Sequence, residues 1–276
     1  MSHFSFSQLD VFTARPGFGN PVAVVHAAGA LDSAAMQRFA NWTNLSETTF
    51  LLPPESAEAD YKLRIFTPMA ELPFAGHPTL GSCQAWLAAG GQPKGEFIIQ
   101  QCGAGLVRIK RDGTRLAFAA PDAVQSDIPP EVKARIAAAL RLPEAEILAT
   151  RAVSARAPYW IGVLLKDRET VLGLKPDFAA MGELEIGVVA PSPGGPADFE
   201  VRAFAPGVGV AEDPVTGSLN AGLARWLIPA GLAPARYVAS QGTCLGREGR
   251  VFVEHDKRDF WIGGESIGVI SGTLAL

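Results

Sequence analysis

Two short stretches of this chain carry residue types able to move a proton. Arg64 to Leu87 (RIFTPMAELPFAGHPTLGSCQAWL) returns in altered form as Arg202 to Leu227 (RAFAPGVGVAEDPVTGSLNAGLARWL). His77-Pro78 in the first stretch answers Asp213-Pro214 in the second, and a Gly-Ser pair follows each, Gly81-Ser82 and Gly217-Ser218. An imidazole gives and takes protons near neutral pH, and a carboxylate can act as base. A duplicated scaffold that has exchanged one for the other reads as a pseudo-symmetric cleft running an asymmetric acid/base reaction. Glu47, in Leu45-Ser46-Glu47-Thr48-Thr49-Phe50, is the third candidate, because it stands where a polar segment runs into a strand. By composition alone it reads as a surface glutamate.

The registers of the repeat are nearly constant. Arg64/Arg202, Phe66/Phe204 and Pro68/Pro206 are 138 residues apart, His77/Asp213, Pro78/Pro214 and Gly81/Gly217 are 136 apart, and Gln101/Gln241 are 140 apart. A period of about half the 276 residues is far longer than a solenoid unit and implies two similar lobes.

Both loops lead into apolar helical patterns, so free backbone N–H groups are expected at two helix starts. The aligned peptide dipoles place roughly half a positive charge at such an end, which suits a substrate carboxylate. The expectation is that the two ends face each other across an interlobe cleft and grip an acidic metabolite.

With 48% hydrophobic and 19% charged residues the chain can bury a large core. A formal charge of −4 without a lysine-rich run excludes an electrostatic footprint for nucleic acid or an anionic membrane. No apolar run reaches membrane-spanning length and MSHFSFSQLD lacks a signal-peptide pattern, so a cytoplasmic protein is expected. Cys83, Cys102 and Cys244 suggest neither a disulfide framework nor a metal site.

The elements that must position these residues are mostly short strands. FSFSQLDVFTA and Val22 to Val25 form a hairpin around a long turn, a short helix covers Asp32 to Phe39, and Thr48 to Leu52 and Tyr61 to Phe66 read as strands. A helix follows from Gly76 to Leu87, then short strands between Phe97 and Phe118 with a hairpin at Asp112-Gly113. PDAVQSDIPPEV marks the lobe boundary, giving lobes of residues 1–124 and 125–276, with the last strand, about 267–276, able to pack on the first lobe. The second lobe repeats the order: strands at Tyr159 to Leu165, Leu184 to Ala190 and Phe199 to Phe204, a helix near Ser218 to Ile228, then closing strands. One main helix per set of strands makes the fold class α+β.

Gly19-Asn20-Pro21-Val22-Ala23-Val24, Glu47-Thr48-Thr49-Phe50, Glu71 to Thr79, Glu212 to Ser218, and Gln241-Gly242 with Gly246-Arg247 form an ordered set. That set resembles the phenazine-biosynthesis PhzF family, over the whole chain. The resemblance implies a diaminopimelate-epimerase-like fold: two pseudo-symmetric lobes, each a β-barrel-like sheet around a central helix. It implies an isomerase that moves a proton within a small unsaturated or cyclic carboxylic acid, as in trans-2,3-dihydro-3-hydroxyanthranilate isomerisation, without cofactor or metal and usually as a homodimer. By motif, Glu47 would be the acid/base, with His77 and Asp213 beside it, and for that role its pKa should be raised by a dry cleft and by the nearby Asp213. Asn20, Gly76, Gly217 and Ser218 would bind substrate, the last two through its carboxylate. Related epimerases and racemases use two cysteines at these helix starts, where this chain has Ala75 and Pro214 nearby. An epimerase or racemase of an amino or hydroxy acid without catalytic cysteines, a lyase using the same base, and a binding protein that retains the fold are the other readings.

Overall fold

The computed structural model of the protein describes residues 2–123, 125–154 and 159–276. They divide into two units, Met1–Ala119 with Gly263–Leu276, and Ala120–Ile262. Position 124, where the sequence places the boundary, lies outside the described residues.

The first unit opens with β1 (His3–Val11) and β2 (Asn20–Val25), an antiparallel pair in which Val11 faces Asn20. Helix α1 (Ser33–Thr43) follows, capped by Asp32, whose carboxylate accepts the Ala35 N–H. Next come β3 (Thr48–Leu52), parallel to β2, then β4 (Tyr61–Phe66), and β5 (Glu71–Leu72), both in antiparallel steps. Helix α2 (Gly76–Ala88) precedes β6 (Ile98–Cys102), which pairs parallel with β4, and the meander β7 (Gly105–Asp112) and β8 (Arg115–Ala119). The hairpin loop between the last two is Gly113-Thr114, one residue later than the sequence suggests.

Nearly every residue from Gly76 to Cys83 is buried, so α2 is wrapped by strands rather than laid on a sheet with one wet face. Gly81 permits this: a Cβ there would lie inside 3 Å of Val11 and Val22 side chains. A separate apolar cluster of Phe4, Val25, Met36, Phe39, Phe50 and Phe66 holds α1 to the sheet.

The second unit contains α3 (Pro130–Leu140), β9 (Ala149–Ala152), β10 (Ile161–Leu164), α4 (Arg168–Gly173), α5 (Phe178–Met181), β11 (Ile186–Pro191), β12 (Phe199–Ala205) and β13 (Val210–Asp213). Helix α6 (Gly217–Leu227), β14 (Arg236–Gln241), β15 (Gly249–His255) and β16 (Phe260–Gly264) complete that run. The last strand, β17 (Ser266–Ala275), pairs antiparallel with β1 in the first unit. Helix α6 sits close to its sheet through small residues: a Cβ on Gly187 would strike Leu219, and one on Gly222 would strike Val153.

The pairing pattern repeats strand for strand. β2–β3 parallel, β3–β4 antiparallel and β4–β6 parallel match β10–β11, β11–β12 and β12–β14. The internal register differs from the one read off the sequence. Ile65 faces Leu72 and Ala203 faces Asp213, so the counterpart of Asp213 is Leu72, not His77. Gly76 and Gly217 each open their helix, 141 residues apart, which pairs His77 with Ser218, Pro73 with Pro214, Gly81 with Gly222 and Gln100 with Gln241. The shift from 138 to 141 arises in the β12–β13 connection, which carries a one-turn 3-10 helix at Pro206–Val208.

Among the described residues no helix is long and apolar enough to cross a membrane, and no group of three or more His, Cys, Asp or Glu could hold a metal ion.

Candidate active site

In the first unit, three residues distant in sequence meet at the start of α2. Glu47 stands immediately before β3, His77 is the second residue of α2, and Asn20 begins β2. Glu47 Oε2 lies 3.5 Å from His77 Nε2, with side chains only 15% and 5% exposed. The sequence suggests a partly exposed loop for His77; it is instead a buried helix residue, because the sheet surrounds the first turn of α2. Glu47 likewise departs from the surface reading.

The imidazole is held from behind. Asn20 Nδ2 lies 3.4 Å from His77 Nδ1, and the Ser46 hydroxyl donates to Asn20 Oδ1. With Asn20 so turned, its amide donates to Nδ1 and the ring proton sits on Nε2, the atom facing Glu47. Asn20 itself is fixed by the preceding turn, where the buried Asp10 carboxylate accepts the N–H groups of Gly17 and Gly19 at 2.7 and 3.1 Å. Asn20, expected to bind substrate, is 1% exposed and touches His77.

Burial raises the Glu47 pKa to about 7, against a smaller opposing effect of a hydrogen bond with Ser46. The sequence reading gives Asp213 a share in this rise; desolvation is the cause. Glu47 Oε2 makes no hydrogen bond among the described residues. The result is a dry carboxyl poised to exchange a proton near neutral pH beside a ring that can orient it.

In the second unit, Asp213, Gly217 and Ser218 gather at the start of α6. Asp213 is not the N-cap; Thr216 is, and its hydroxyl donates to Asp213 Oδ2 at 2.5 Å. Gln241 braces the loop: its Oε1 accepts Thr216 N–H and Asn220 Nδ2, while its Nε2 donates to Asp213 O and Thr216 Oγ1. In the first unit Gln100, not Gln101, plays the matching part, donating to Thr79 and accepting from Tyr61. Ser218 Oγ accepts the Trp160 indole N–H at 3.0 Å, a contact that sequence reading missed.

Among the described residues no side chain caps the start of α2 or of α6, which leaves the first N–H groups of α6 for another acceptor. The N-cap residues are Ala75 and Thr216, which corrects Pro214 as the second position to compare with an epimerase cysteine. No thiol stands at either place. Cys83 is buried within α2, with its pKa pushed up to about 12 by desolvation, so it is inert as a nucleophile.

Comparison with known proteins gives this duplicated frame a family. The model of the PhzC-PhzF family, described as phenazine biosynthesis-like protein, matches residues 9–272. The chain belongs to the PhzF family. A trans-2,3-dihydro-3-hydroxyanthranilate isomerase of Pseudomonas aeruginosa is 33% identical over 256 residues, spanning 88% of this chain and 87% of its own. Antisense-enhancing sequence 1 of Schizosaccharomyces pombe is 36% identical over 292 residues, spanning 99% of both. The crystal structure of an Enterococcus faecalis PhzF-family protein superposes with a TM-score of 0.81 at 26% identity, over the whole of both chains. The fold is therefore of the diaminopimelate-epimerase-like α+β type, and the protein is an enzyme of an isomerase family.

Proposed function

We propose that Glu47 is the acid/base of a cofactor-independent isomerase. It removes a proton from one carbon of a small unsaturated or cyclic carboxylic acid and returns it to another carbon of the same molecule. The observation that carries this reading is the buried Glu47 carboxyl, with a pKa near 7, set 3.5 Å from His77 Nε2. One such group can serve both ends of a 1,3-type shift, whereas a two-thiol racemisation uses a cysteine at each helix start, and Ala75 and Thr216 supply none. In the same reading His77 orients Glu47 or handles a substrate heteroatom. Gly217 and Ser218 hold the substrate carboxylate through the uncapped start of α6, and Gly76 and Asp213 are further candidates, the first for substrate binding and the second for acid/base chemistry. The 33% identity to the P. aeruginosa enzyme supports trans-2,3-dihydro-3-hydroxyanthranilate as the first compound to try.

Two further features belong to this reading. The three cysteines are all free, in keeping with a reducing, cytoplasmic home. A homodimer is supported by β17, whose run from Ser266 to Leu276 has no charged residue and leaves Val269 and Ile270 about half exposed.

The test is product analysis after incubation with trans-2,3-dihydro-3-hydroxyanthranilate and a panel of cyclic, unsaturated carboxylates. An isomer of unchanged mass is expected. Loss of water would make the protein a lyase, and inversion of a chiral centre without bond migration would make it an epimerase.

A further inference from the structure

The corrected internal register exposes a second buried carboxylate. Glu47 stands immediately before β3 and Glu185 immediately before β11, 138 residues apart, the same spacing as Arg64 and Arg202. Both carboxyls are removed from water and both have raised pKa values through burial. Their partners differ. Glu47 faces an imidazole, whereas Glu185 Oε2 accepts the backbone N–H of Tyr159.

That contact fixes the residue just before Trp160. Trp160 is further tied by its carbonyl, which accepts the Val153 N–H at 2.9 Å, and by the Ile161 N–H, which donates to the Glu185 carbonyl at 2.8 Å. The indole is 3% exposed and its N–H donates to Ser218 Oγ. An oxygen that accepts from an indole keeps its own proton to give, and among the described residues nothing takes that proton. The arrangement turns the second residue of α6 into a hydrogen-bond donor at an uncapped helix start. In the other unit Asn20 holds the second residue of α2 in the same manner, through a donor N–H from outside the helix.

We propose that Trp160, anchored by Glu185, is a positioning residue that presents the Ser218 hydroxyl as a donor to the substrate carboxylate. The inference rests on the assignment of the α6 start as carboxylate site. Trp160 acts through Ser218 and Glu185 acts through Trp160, so neither needs to touch the substrate. Tyr159, 63% exposed beside them, is free to vary with substrate.

A double-mutant cycle on the full chain tests this, with 3-hydroxyanthranilate as the probe and Kd read by calorimetry. Ser218→Ala should weaken binding about tenfold, the size expected for a hydrogen bond to a charged group. Trp160→Phe should weaken it by about three- to tenfold alone, yet by less than about twofold in the Ser218→Ala background. Equal effects of Trp160→Phe in both backgrounds would overturn the proposal, as would no effect of Trp160→Phe where Ser218→Ala has one. If Ser218→Ala leaves Kd unchanged, the carboxylate assignment itself fails, and the proposal with it. Should the tryptophan variant not fold, indole resonances of the ¹⁵N-labelled protein with intact Trp160 decide. One of the five Nε1–H signals must move upfield in Ser218→Ala, and five unmoved signals would contradict the contact. Glu185→Gln, which can still accept the Tyr159 N–H, should bind the probe within about twofold of the parent, whereas Glu185→Ala should match Trp160→Phe.

Discussion

The two units share a frame and differ in what the frame holds. Each has a carboxylate before its third core strand, an arginine–glutamate clamp joining two strands, a helix opened by glycine and a glutamine bracing the helix start. In the first unit the carboxylate of Glu47 faces His77, while in the second that of Glu185 faces a backbone N–H. The clamps differ as well. Arg64–Glu71 is partly exposed, whereas Arg202–Glu212 is sealed, with the Arg202 guanidinium also donating to the carbonyls of Val171 and Leu174. The repeated pairing pattern shows one scaffold used twice, with different partners around the two carboxylates: an imidazole beside Glu47 and a backbone N–H on Glu185.

The largest expected difference is between the two carboxylates. Glu47→Gln should lower kcat by about three orders of magnitude, within the range for loss of a general base, while Glu185→Gln should leave kcat within about threefold. Equal losses in steady-state assays would erase the distinction. The clamps come next. Arg202→Met should destabilise by about 3–5 kcal/mol, because it leaves a buried carboxylate without its partner. Arg64→Met should cost about 1 kcal/mol or less, since its clamp is partly exposed. Urea melts of the two variants compare them directly.

Between the two clamps in size lies the pH effect. Glu47 has a folded pKa near 7 against an ordinary 4.5, so the native state holds its proton over a range where the unfolded chain has lost it. Stability from this group therefore falls as pH rises from about 4.5 to 7. At about 1.4 kcal/mol per unit the loss amounts to roughly 3 kcal/mol. Glu47→Gln should accordingly gain stability relative to the parent at pH 8 by roughly that amount, compared with its effect at pH 4, in denaturant melts at both pH values. A stability difference that does not change with pH would mean that the carboxyl is solvated.

Much of the fold can be read from residues alone. Thr48–Leu52 and Tyr61–Phe66 are strands with the bounds that their β-branched and aromatic content suggests, and the helix starts near Gly76 and Gly217 follow from turn residues before apolar periodicity. The site was harder. The two Gly-Ser pairs invited a register that set His77 against Asp213, yet Gly81 is spent on close packing against β1 and β2 while Gly217 opens a helix. What fixes the true register is pairing between strands, Ile65 with Leu72 and Ala203 with Asp213, which one-dimensional spacing does not carry. Burial of His77 is not legible, because it depends on strands closing around the first turn of α2, while a dry setting for Glu47 follows from the acid/base role and not from its composition. The contact of Trp160 with Ser218 leaves no trace in spacing, since an indole beside a strand is core more often than pocket wall.

Turnover in D₂O tests the claim about Glu47 most directly. With the parent enzyme and trans-2,3-dihydro-3-hydroxyanthranilate or any substrate found by the panel, the product should acquire deuterium at the carbon that receives the proton, to the extent that the Glu47 proton exchanges with solvent before it is returned. Glu47→Gln should abolish both turnover and isotope uptake, while Glu185→Gln retains both. Deuterium uptake that survives in Glu47→Gln would show that another group carries the proton.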